Sequence, residues 1–106
     1  MIDNKIREIL ARRMTLHPED ALGTEECWKD EIAIMSRDVE QTIDFLRNRC
    51  TGEEFAWLSE VFEEVQAATH SEELRECLYA VAEKYPDITK EYNILSFIDS
   101  GEEKES

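Results

Sequence analysis

Apolar residues recur along the chain in steps of three and four, the period of an α-helix, and no segment alternates as a half-buried strand would. Ile2, Ile6, Ile9, Leu10 and Met14 trace a first stripe, which should end before the His17-Pro18 turn and the Gly23 break. Thr24, followed by Glu25 and Glu26, has the composition of an N-cap with acids in the first turn. From there Trp28, Ile32, Met35, Val39, Ile43, Leu46 and Cys50 keep one phase through Ser36. This spacing predicts one nearly continuous helix from Thr24 to Cys50, roughly 40 Å long; a break near Ser36 is the alternative. Cys27, Ile34 and Phe45 fall on a second line about 120° away. Two apolar sides describe a central helix packed on both, or one with a side left for a partner.

Thr51-Gly52-Glu53-Glu54 matches a capping box, so a helix should start there, with Phe55, Leu58, Val61, Phe62 and Val65 on its core face. Thr69-His70-Ser71 supplies the next turn. Leu74, Cys77, Leu78, Val81 and Tyr85 form a fourth stripe ending at Tyr85-Pro86, and the short loop predicts that these two helices pair antiparallel. Ile88, Tyr92, Leu95 and Ile98 carry a fifth helical segment, with a break at Asn93 as an option and Gly101 as its close. The pattern as a whole predicts an all-α, single-domain bundle of about five antiparallel-packed helices over residues 1–101, with one long central helix and a frayed acidic tail at 102–106. No sequence repeat at a fixed period is present.

Charge changes the picture more than composition does. The 106 residues carry 26 acids against 12 bases, a formal net charge of −14, and such a surface is repelled by phosphate backbones and anionic lipids. Nucleic-acid and membrane-surface binding are therefore disfavoured. No apolar run approaches the 18 or so residues of a membrane span, and the charged start lacks the apolar core of a signal peptide, so the chain reads as cytoplasmic. The surplus is uneven: residues 1–52 hold 11 acids and 8 bases, residues 53–106 hold 15 and 4.

Cys27, Cys50 and Cys77 are widely spaced, form no C-x-x-C pair and have no histidine at metal-ligand spacing, so they should be reduced, buried and free of zinc. Neither His17 nor His70 has a glutamate three residues before it, as a carboxylate-bridged metal site in a helical bundle would want. Glu60 with Glu63 or Glu64 should point outward from the core. Phosphate loops, nucleophile elbows and H-E-x-x-H are missing from the sequence. No enzyme and no cofactor is expected.

Tyr79 lies outside the fourth stripe, with Arg75, Glu76 and Glu83 as helix neighbours. A surface tyrosine ringed by acids has the composition of an anchor for a basic partner. The candidate binding surface is therefore Tyr79 with Glu76, Glu83, Glu60, Glu63 and Glu64.

The run Phe55-Ala56-Trp57-Leu58-Ser59-Glu60-Val61-Phe62-Glu63-Glu64-Val65, with Thr69, Ser71-Glu72-Glu73, Lys84-Tyr85-Pro86 and Glu91-Tyr92-Asn93 after it, resembles small bacterial immunity proteins of contact-dependent or polymorphic toxin systems. The resemblance covers the second half of the chain. It implies an inhibitor that binds a cognate basic toxin domain, often a nuclease, and covers the surface its nucleic acid would occupy. The alternative is a non-catalytic helical adaptor, or a homodimer formed through the second apolar line of the central helix.

Overall fold

Side-chain caps from Asp20, Asp38, Thr51 and Ser71 set four of the helix starts. The computed structural model describes the backbone of residues 2–103 and the side chains of residues 2–100. Within them run α1 (Ile2–Thr15), α2 (Ala21–Arg37), α3 (Val39–Asn48), α4 (Gly52–Leu58), a 3₁₀ turn (Ser59–Val61), α5 (Phe62–Thr69), α6 (Glu72–Lys84), α7 (Pro86–Glu91) and α8 (Ile94–Glu103). The described residues contain no strand, so the all-α expectation holds, in one globule of 33 × 29 × 29 Å. Two caps match the sequence reading. Thr51 and Glu54 close a reciprocal capping box on α4, and Ser71 accepts from the Leu74 N–H to start α6.

The single helix expected from Thr24 to Cys50 is two helices. Asp38 takes extended geometry (φ −139°, ψ 91°), ends α2 and caps α3 by accepting from the Gln41 N–H. The Thr42 hydroxyl reaches back across the break to the Met35 carbonyl at 2.9 Å, satisfying one of the acceptors the break exposes. Because one residue makes the interruption, the apolar spacing runs through it unaltered. The start also differs. Asp20, not Thr24, caps α2, with its Oδ1 accepting from the Gly23 N–H at 2.8 Å. Gly23 is no break but part of this first turn, where a Cβ would stand 2.7 Å from Asp20 Oδ2 and 2.9 Å from Leu16.

The helices on either side of His70 do not chiefly pair with each other. α5 packs mainly on α8 and α2, while α6 packs mainly on α3 and α8. α8 lies against both arms, with Ile94 and Ile98 fully buried and the Gln66 side-chain amide donating to the Ile98 carbonyl at 3.2 Å. The optional break is real: Asn93 adopts the left-handed region (φ 52°) between α7 and α8. Gly101 does not close the segment, since α8 continues to Glu103 and takes in the start of the expected tail. Residues 104–106 of that tail lie outside the described residues.

Phe45, Phe55 and Phe62 are fully buried with Leu58, Leu74 and Leu78 around them, and the Phe55 and Phe62 rings sit 5.2 Å apart. Each such side chain contributes about 2–3 kcal/mol by leaving water. Cys27, Cys50 and Cys77 are all buried free thiols. On the second line of the long stripe, Cys27 and Phe45 are buried and Ile34 is half-buried, so most of that line faces the core.

Candidate functional site

The last turn of α1 carries Arg12 and Arg13, and the 3₁₀ turn after α4 brings Glu60 up to them. Arg13 grips the Glu60 carboxylate with both fork nitrogens, at 3.1 and 2.8 Å, and its guanidinium stands 5.1 Å over the Trp57 ring. The Trp28 indole N–H, from α2, donates to the same carboxylate at 3.2 Å. Glu60 is therefore the hub of a half-buried network joining α1, α2 and the 3₁₀ turn. The expectation that it faces outward with Glu63 and Glu64 is corrected. A sequence stripe cannot foresee this, because the 3₁₀ turn changes the angular step between α4 and α5.

Beside that network Glu31 is fully buried, and neither carboxyl oxygen has a hydrogen-bond partner. Burial is the main reason its carboxyl is pushed up to about 8, with the nearby Glu60 charge adding to it and Arg13 and Arg12 opposing. Both arginines are already committed: Arg13 to Glu60, and Arg12 to Asp30 at 2.6 Å. Glu31 is thus held mainly neutral at pH 7. Sequence reasoning missed it, although a signal existed: Glu31 falls between Cys27 and Ile34 on the second apolar line.

Two grooves open on either side of Trp57. One, of about 700 Å³, has Ala56, Trp57, Tyr92 and Phe97 on its walls and Glu53 and Glu91 at its rim. The other, of about 580 Å³, is walled by Met14, Leu16, Trp28 and Trp57 and edged by Glu25. Glu60 lines the first and Arg13 the second, so their ion pair and Trp57 together form the ridge between them.

The six residues expected to form a binding surface are not all presented alike. Glu64, Glu76 and Glu83 are exposed and Glu63 is half-buried, while Glu60 is drawn into the ridge. Tyr79 is not a projecting anchor: it is half-buried against the core, and its hydroxyl donates to Asp99 of α8. With Glu83 it lines a third groove, between α6, α7 and α8, of about 610 Å³. Cys77 is buried with its thiol pushed up by burial, the reverse of the activation a nucleophilic cysteine needs. Among the described residues no three His, Cys, Asp or Glu side chains stand together as metal ligands, and no helix is long and apolar enough to cross a membrane.

Comparison of the chain with protein-family models, curated proteins and solved structures finds no match.

Proposed function

We propose that this protein is an immunity-type inhibitor that binds a basic protein domain, a toxin nuclease by the resemblance of its second half, and blocks it by occupying the surface meant for nucleic acid. One observation carries the reading. Of the 12 acids between residues 53 and 100, nine are exposed to solvent, against three bases in the same span. A folded chain that keeps so many like charges on one half tolerates self-repulsion, and such a field steers and orients a partner of opposite sign.

Within this reading Glu64, Glu76 and Glu83 act at long range, raising the association rate, and Glu63 adds to their charge. Tyr79 and Glu60 support the fold beneath the field. The test is binding to the basic domain encoded in the neighbouring reading frame, followed at several salt concentrations together with that domain's nuclease activity. A complex whose association rate falls steeply with salt, and in which nuclease activity is lost, is the expected result. A basic neighbour that forms no complex at micromolar concentration and low salt would sink the proposal.

A further inference from the structure

We infer that the two grooves meeting at Trp57 are one docking surface for a cationic amphipathic helix of the partner protein, a reading that rests on the proposed function and gives it a contact site. Each groove carries exposed apolar area: Tyr92, 55% exposed, lines the first and Met14, 41% exposed, lines the second. Trp57 lines both grooves and Trp28 the second. An apolar helix stripe needs anchors spaced along a groove, and rigid aromatic walls are the surface type that supplies contact energy at such sites.

Charge selects the occupant. Glu25, Glu53 and Glu91 stand at the rims, and the one base on the walls, Arg13, is neutralised by Glu60. A helix with lysines or arginines flanking its apolar stripe meets this rim favourably. A second copy of the chain, itself at −14, would bring acid against acid, and an anionic bilayer would do the same. Two further grooves lack the paired tryptophan walls. One carries Lys5, Arg37 and Arg49 against Asp38 and Asp44, and the groove at Tyr79 carries Glu83 and Asp99 with Lys90 among them.

Trp28 and Trp57 are the chain's two tryptophans, so intrinsic fluorescence reads this surface directly. The probe is a tryptophan-free peptide of about 18 residues, with leucines at helical spacing and lysines elsewhere, compared with a scrambled peptide of identical composition. A saturable fluorescence change, at least about tenfold tighter for the amphipathic sequence, is expected. Tyr92→Glu and Met14→Glu, both at exposed positions, should each weaken it about tenfold with the thermal midpoint kept. Glu53→Lys with Glu91→Lys should weaken it more than Glu76→Lys with Glu83→Lys. Equal binding of the scrambled peptide, or indifference to the Tyr92 and Met14 changes, would overturn the inference. So would mass doubling with concentration that the same two changes abolish, which would assign the surface to a second copy. If the basic toxin domain binds the Tyr92→Glu, Met14→Glu double variant at full strength, the groove assignment falls and the inhibitor reading stands. If the peptide docks and the toxin domain does not bind, the groove stands and the inhibitor reading falls.

Discussion

Asp3 and Glu31 are both taken out of water by this fold, yet Asp3 meets a guanidinium fork and Glu31 meets no donor at all. Around Asp3 the chain builds outward. Arg49, at the C-cap of α3, bridges Asp3 and Asp44, and Arg7 joins Glu54 at 2.9 Å and the Arg49 carbonyl at 3.0 Å, locking α1 to the α3–α4 corner. Its hydrogen bonds to Arg49 hold the Asp3 carboxyl below the usual carboxylate range. Around Glu31 the nearby arginines serve other acids, and the Arg13–Glu60 pair leaves Glu31 against a second negative charge. Burial alone does not decide what a buried acid does. One region uses its acid to fasten helices; the other stores an unfavourable group under the ridge of the aromatic grooves, where it disfavours the folded state as soon as it ionises.

The largest effect that separates the two regions lies in pH dependence. Glu31 has a folded-state value near 8 against an ordinary 4.5, so the folded protein holds the proton more tightly than the unfolded chain. Its favourable state is complete below about pH 4.5 and is lost progressively as pH rises through about 8. Glu31→Gln should therefore raise unfolding free energy by about 2–4 kcal/mol at pH 8 and have little effect near pH 5. Chemical denaturation at both values checks this. A variant that stabilises equally at both would show that packing, not ionisation, governs the site.

Asp3 should show the opposite slope. Its depressed value contributes stability that is present above the ordinary 3.8 and is lost as pH falls through the lower folded value. Asp3→Asn should lower the thermal midpoint by several degrees at pH 7 and remove part of the acid-side loss, while leaving the alkaline decline intact. Combined with Glu31→Gln, the changes should add, since among the described residues the Arg49–Asp3 and Arg7–Glu54 pairs share no member with the Arg13–Glu60 pair. Marked non-additivity in the double variant would merge the two regions into one.

Legibility in the sequence followed how local the determining interaction is. The Thr51–Glu54 box, the Ser71 cap and the stop at Pro86 are sequence-adjacent, and each appears as read. The break at Asp38 was legible only as the alternative near Ser36, because a one-residue interruption preserves apolar phase. The placement of α8 against both α5 and α6 was hidden because it depends on long-range pairs such as Gln66 with the Ile98 carbonyl. For the candidate site, the exposed charge of Glu64, Glu76 and Glu83 could be read from helix faces. Glu60 and Tyr79 could not, since Arg13 and Asp99, which redirect them, are 47 and 20 residues away.

A smaller effect is expected where water can stand in for a lost partner. The Tyr79 hydroxyl meets Asp99 at the protein surface, unlike either buried acid. Tyr79→Phe should cost about 0.5–1 kcal/mol, measured by urea denaturation, because the carboxylate it leaves is resolvated. Tyr79→Ala should cost more, since the half-buried ring packs against the core. A loss above about 3 kcal/mol for the phenylalanine variant would place this contact with the Asp3 network.

The finest separation of the regions comes from their cysteines. Cys27 is buried beside the Glu31 side, where Arg12 approaches its sulfur at 3.7 Å, and Cys50 is buried beside the Arg7–Glu54 pair, with its thiol pushed up to about 12 by desolvation. Neither is accessible in the closed fold, so labelling by a thiol reagent requires opening, and the protection factor relative to unfolded chain reports local stability. At pH 8 the ionising Glu31 should favour opening of the α1–α2 side. Cys27 should then label faster than Cys50 once each is normalised to its unfolded rate, read by mass spectrometry of single-cysteine variants. Glu31→Gln should bring the two protection factors together by slowing Cys27 and leaving Cys50 unchanged. Equal slowing of both would mean that the chain opens only as a whole, and that the orphaned acid lowers global stability without loosening the ridge.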